Sequence, residues 1–180
     1  GSIFWKRLRR LNVRDDRLRV AYVNPRDRTT FFAELQESMQ AGREDSGTSH
    51  ALLFLHGYDT TFKDAAIRAA QIGYDLQVLG ATAFFSWPSC GSVLGYSADE
   101  ASIEASEPAL TEFLVDFANN CGAEKIHVIA HSMGNRGLLR ALQRIAASAE
   151  TRGRIKFGQF FLAAPDVDRE IFLNLAGLYG

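Results

Sequence analysis

Short apolar runs alternate with longer amphipathic stretches along most of this 180-residue chain. Residues 18–23, 52–55, 83–87, 126–131 and 157–164 are brief, apolar and bounded by turn-forming residues, which predicts strands. Between them the apolar positions recur at helical spacing. Phe31, Phe32, Leu35 and Met39 form one such face, with Thr30 as the expected N-cap, Gly42 as the expected stop and a polar loop over 42–49. Phe62, Ala66, Ala69, Gly73 and Leu76 form a second, opened by Thr61 and Asp64 in a capping-box-like pair. Leu110, Phe113, Leu114 and Phe117 follow Ser106 and close at Asn120 and Gly122, and Leu138, Leu139, Leu142, Ile145 and Ala146 form the last face. Strands that alternate with helices predict an α/β fold with a doubly wound, mostly parallel sheet. In such sheets the ligand sits beyond the carboxyl ends of the strands, and His56, Trp87, Ser132 and Asp166 all fall at or just past such ends.

The run 126–134, Ile-His-Val-Ile-Ala-His-Ser-Met-Gly, carries the strongest chemical signal. It reads as strand, sharp turn and helix, with Ser132 on the turn. A serine there is pushed clear of the sheet on a strained backbone, and the positions two before and two after must be small. Ala130 and Gly134 meet that demand. The following helix aims its first N–H groups toward the place where an oxyanion would form. Upstream, residues 52–58 make a second strand that ends in His56-Gly57-Tyr58. The loop after such a strand supplies the second oxyanion donor, so the backbone amides of Tyr58 and Met133 are the candidate pair. His56 is expected to hold that loop by hydrogen bonds rather than act as a base. Tyr58, Trp87 and Tyr96 are candidate pocket walls, and residues 91–106 a candidate small lid.

The ordered strings HGYDTTF, FFSWPSCGS, GYSADE, IHVIAHSMGN and FFLAAPDVD resemble an uncharacterised bacterial branch of the α/β-hydrolase superfamily, over roughly residues 49–173. The resemblance implies an α/β-hydrolase fold, Ser132 as nucleophile and hydrolysis of an ester or related acyl bond without a cofactor or metal. Asp59 and Cys90 depart mildly from that pattern, where asparagine and a small residue are expected.

A serine nucleophile needs an imidazole to take its proton and a carboxylate to orient the imidazole, and in this fold the chain order is Ser, acid, His. All four histidines, His50, His56, His127 and His131, precede Ser132. Counted on the eight-strand pattern, residues 157–164 are the sixth strand, so the strands that commonly carry the acid and the histidine are expected to be missing. The domain, 18–180, is therefore expected to be C-terminally incomplete, and weak or inactive alone. Asp166 is the candidate acid; the alternative is that Asp166 and Asp168 cap the next helix. His131 is expected to point away from the serine, His127 to be a satisfied interior side chain, and His50 to lie in the polar loop. A bare sixth strand would pair with a second copy through 157–164. A non-catalytic binding module of the same fold is the rival reading.

Composition adds little chemistry. A formal net charge of −1 with 47% hydrophobic residues suits a soluble enzyme acting on a small acyl substrate and gives no pull toward nucleic acid. Residues 1–17 form a basic extension in which Ile3, Phe4, Trp5, Leu8 and Leu11 interleave with arginines; a solvated extension is preferred to a membrane-seeking arm. Cys90 and Cys121 have no metal or disulfide spacing, and a cytoplasmic location is the default.

Overall fold

The computed structural model describes residues 18–90, 92–155, 157–167 and 172–173. Helix α1 (Arg28–Ser46) leads into strand β1 (His50–Leu55), helix α2 (Phe62–Asp75) and strand β2 (Gly80–Phe85). A short 3-10 turn at Val93–Gly95 opens helix α3 (Tyr96–Ala105), and helix α4 (Glu107–Asn120) follows. Strand β3 (Lys125–His131), helix α5 (Gly134–Ala147) and strand β4 (Phe160–Ala163) complete the series.

The four strands form one parallel sheet in the order β2-β1-β3-β4. From β1 the chain moves outward to β2, then returns across β1 to place β3 on the other side. The sequence of strands therefore reverses direction between β1 and β3, and in open sheets of this kind ligands bind outside the carboxyl ends at that point. Ser132 follows β3, and the His56–Tyr58 segment follows β1.

Strand alternation sorts the core into two layers. Leu53, Leu55, Val128 and Ala130 face α1, α4 and α5 through Phe32, Met39, Leu114, Phe117, Leu138, Leu142 and Ile145. Leu52, Phe54 and Ile129 face the other way, onto Ala69 and Ile72 of α2. Such burial, worth about 1.5–3 kcal/mol for each large apolar side chain, is what fixes strand register.

Several elements differ from the sequence expectation. Residues 18–23 form no strand: among the described residues they have no strand neighbour, and Leu18, Tyr22 and Val23 are exposed. Asp27, not Thr30, caps α1, accepting the Thr30 N–H at 3.0 Å. Gly42 does not end that helix; it lies inside it, where a Cβ would stand 3.2 Å from the Gly80 Cα, so the absence of a side chain lets helix and strand approach closely. The stop is Gly47, in left-handed conformation, and the expected polar loop over 42–49 is mostly helix. His50 accordingly begins β1 rather than lying in a loop.

Helix α2 begins as expected, with Thr61 accepting the Asp64 N–H and donating to its carboxylate. Its buried residues are Ala65, Ala69 and Ile72, so the face is turned from the expected one and Phe62 is exposed. The strand expected at 83–87 is Gly80–Phe85, and that expected at 157–164 is only Phe160–Ala163. The candidate lid over 91–106 contains α3, which is packed rather than loose: Ile103 and Asp99 are fully buried, and a Cβ on Gly137 would stand 2.7 Å from Ile103 Cδ1. The basic 1–17 extension and Asp168 lie outside the described residues.

Candidate active site

Ser132 has φ +49°, in the left-handed region that a residue with a Cβ enters only under constraint. Three contacts impose it. The Ser132 N–H donates to the Ala163 carbonyl at 2.9 Å, continuing the β3–β4 ladder by one residue. The Ser132 carbonyl accepts from both the backbone and the side-chain N–H of Asn135, at 3.0 and 2.8 Å. Helix α5 then begins so near β1 that a Cβ on Gly134 would lie 2.5 Å from the His56 carbonyl oxygen. Ala130, two residues before the serine, is fully buried. The small residues read from the sequence are thus those at which backbone meets backbone.

On the β1 side, a Cβ on Gly57 would stand 2.9 Å from Ser132 Cβ and the same distance from His131 Nδ1. Only glycine lets the loop pass the serine that closely. His56 is buried, and each ring nitrogen is engaged. Nε2 accepts the Trp87 backbone N–H at 3.2 Å, so the proton belongs on Nδ1, which donates to the Gly57 carbonyl at 2.8 Å. Burial pushes the His56 imidazole below its ordinary range. A neutral ring in this one tautomer holds the Gly57–Tyr58 peptide. Because a trans peptide aims its C=O and N–H in opposite directions, the hydrogen bond at Gly57 O also sets the direction of the Tyr58 N–H.

Trp87 is 2% exposed, stacked on the His56 ring at 5.0 Å, and its indole N–H donates to the His56 carbonyl at 2.9 Å. It is therefore the support beneath the loop and not the pocket wall expected from the sequence. It lies two residues past the end of β2. The side chain of Met133 is buried with Trp87 and Ile103, and Tyr58 packs on that cluster. Among the described residues, neither the Tyr58 nor the Met133 amide donates to a protein acceptor. Tyr58 meets Tyr96 edge to face at 5.4 Å, and both rings are more exposed than Trp87.

Asp166 follows β4 and is gathered into a polar group. Tyr96 donates its hydroxyl to Asp166 Oδ2 at 2.5 Å, which raises the Tyr96 phenol above its usual value. Arg136, in the first turn of α5, donates to the Asp166 carbonyl at 2.8 Å, lies 3.8 Å from its carboxylate and pairs with Glu100 of α3.

The other histidines are placed elsewhere. His131 is half-buried beside Gly57, and burial together with the Arg68 charge lowers its pKa. His50 and His127 lie toward the opposite ends of their strands, with rings 5.3 Å apart. His127 is not the satisfied interior side chain expected: its Nδ1 is buried without a hydrogen-bond partner among the described residues. Also among the described residues, no side chain hydrogen-bonds the Ser132 hydroxyl. Cys121 is buried at the end of α4, whereas Cys90 is exposed with its thiol pushed up by the Asp99 carboxylate, the reverse of an activated nucleophile.

Residues that sequence reasoning passed over are Asp99, Asn135, Glu100 and Arg136. Asn135 is fully buried and, besides Ser132, reaches the Ala163 carbonyl at 3.3 Å. An amide side chain in the first turn of the helix after the serine was the available signal.

Among the described residues no helix is long and apolar enough to cross a membrane, and no group of three metal-ligating side chains occurs. The chain is similar to an uncharacterized protein of Nostoc sp., at 33% identity over 104 residues, covering 47% of this chain and 27% of that protein. It thus spans about a quarter of that relative's length. No solved structure matches it. Residues 32–177 match the model of one family, and the parallel sheet flanked by helices agrees with it, so the chain belongs to that family: the alpha/beta hydrolases of unknown function (DUF900).

Proposed function

We propose that this protein is a serine hydrolase that cleaves an ester or related acyl bond of a small substrate through an acyl-serine intermediate. The observation that carries the reading is the left-handed Ser132 wedged between β1, β4 and α5. Strain of about 1–3 kcal/mol at a polar residue persists only where the surroundings impose it, and here it projects a hydroxyl into the crevice at the strand ends. The Tyr58 and Met133 amides flank the same crevice and serve as oxyanion donors. In this reading Ser132 Oγ attacks the acyl carbon, its proton passes to a base and from there to the departing alkoxide, which leaves as the alcohol; water then cleaves the acyl-serine bond, releasing the acid and restoring the serine hydroxyl. Asp166 is the carboxylate that orients the base. None of the four histidines donates to or accepts from the Ser132 hydroxyl among the described residues: His56 is locked by Gly57 and Trp87, and His50 and His127 lie at the far end of the sheet, so the reading leaves the base unassigned.

That missing imidazole also favours a second reading, a binding module of the same fold with no catalysis. Labelling with a fluorophosphonate probe, with and without added imidazole, separates the two. The enzyme reading expects slow labelling that imidazole accelerates and that Ser132→Ala abolishes. No labelling under either condition, or labelling that survives Ser132→Ala, would overturn it.

A further inference from the structure

We propose that Asp99 is a positioning residue that fixes the second peptide plane beside the Tyr58 oxyanion donor, so that helix α3 sets the geometry of the site without touching substrate. The proposal rests on the serine-hydrolase reading for its purpose, but on separate contacts for its geometry.

A carboxylate in the first turn of α3 is ordinary; a fully buried one is not. Asp99 is satisfied from two loops. Oδ2 accepts the Asp59 N–H at 3.1 Å and the Ser89 hydroxyl at 2.5 Å, while Oδ1 accepts the Cys90 N–H at 2.6 Å. Ser89 Oγ in turn accepts the Thr60 N–H at 3.2 Å. Burial alone would raise the carboxyl pKa, yet the donors from Ser89, Cys90 and Asp59 outweigh it and hold the group below its usual range. Asp99 is thus an anion bridging the segment after β1 and the segment after β2.

What it holds is specific. Asp59 has φ +53°, another left-handed residue with a side chain. The Tyr58–Asp59 peptide is gripped at both ends: its N–H by Asp99, and its C=O by the Thr60 hydroxyl at 3.0 Å. The preceding peptide, Gly57–Tyr58, is gripped by His56. Tyr58 therefore sits between two fixed planes, and its own N–H has little freedom to turn from the serine. An oxyanion donor contributes only when aligned before the charge develops, which is why a distant carboxylate can govern it.

The test compares wild type with Asp99→Asn and with Ser89→Ala, a milder cut into the same network. Amide hydrogen exchange is read residue by residue, alongside the imidazole-assisted labelling rate resolved into binding and reaction steps. The expected result is at least a roughly tenfold faster exchange at Asp59 and Thr60 in both variants, with β1 protected as in wild type. The maximal labelling rate should fall by about 10²-fold in Asp99→Asn with the half-saturating probe concentration unchanged. Unchanged exchange at Asp59 and Thr60 in Asp99→Asn would overturn the proposal, as would a labelling defect that lies wholly in probe binding. If Asp99→Asn loses protection throughout, Ser89→Ala decides: local loss supports the proposal and none overturns it. Wild type that never labels refutes the hydrolase reading instead, and the exchange data still judge the loop.

Discussion

Gly134 lies against the His56 carbonyl with no space between them for a methyl group: a Cβ there would be 2.5 Å from that oxygen and 3.0 Å from the carbonyl oxygen of Leu55. Both neighbours are backbone, so neither can swing aside. Gly134→Ala would ordinarily gain up to about 1 kcal/mol of helix propensity. Here the clash prevails, and a net loss of about 1–3 kcal/mol is expected by urea denaturation, with loss of probe labelling. A stability equal to wild type would mean that the β1–α5 contact is looser than described.

Ser132→Gly and Ser132→Ala should part company in stability. Both remove the hydroxyl and both abolish labelling. Only glycine tolerates φ +49° without strain, so Ser132→Gly should be more stable than Ser132→Ala by about 1 kcal/mol. Thermal unfolding of the two variants side by side checks this, and equal midpoints would remove the strain argument.

Three buried or half-buried imidazoles, His56, His127 and His131, are held below their ordinary value of 6.5, in each case chiefly by burial. A depressed folded-state pKa means that the unfolded chain binds more protons in the window between the two values. The associated stability is complete above about pH 6.5 and is lost as pH falls through the depressed values. Unfolding midpoints should therefore drop between pH 7 and pH 5. At His56 the effect reaches the site, since a protonated Nε2 would face the Trp87 N–H donor to donor. A flat profile over that range would contradict the neutral-ring assignment.

His127→Leu should be neutral or stabilising by about 1 kcal/mol. It removes a buried nitrogen that has no partner among the described residues, and keeps an apolar side chain at that place in β3. Denaturant unfolding is the readout; a clear loss of stability would indicate that Nδ1 is satisfied after all.

Much of this arrangement was legible in the sequence because it depends on side-chain size and alternation. Ala130, Ser132, Gly134 and Gly57 declare themselves by being small where strand ends meet, and the β1 and β3 runs by their mostly apolar character. The Thr61–Asp64 pair likewise marked the start of α2. Helix limits were less legible because competing residues lay close by: Asp27 precedes Thr30 as a cap, and Gly42 looks like a stop until Gly80 is seen against it. Asp99 was not legible at all. Its partners, Asp59 and Ser89, lie 40 and 10 residues away, and nothing local separates a buried carboxylate in a helix's first turn from an ordinary exposed one.

The seat of Ile103 in the notch at Gly137 bears on how a substrate would arrive. Helix α3 is anchored inward by that side chain and outward by the pairs Glu100–Arg136 and Glu104–Arg140, so it is a wall and not a door. A crevice with a fixed wall selects by shape at first encounter rather than by closing around the right guest. On the proposed serine-hydrolase reading, acyl groups would then be sorted by whether they fit past the Tyr58–Tyr96 pair, and no swing of α3 would stand between one turnover and the next.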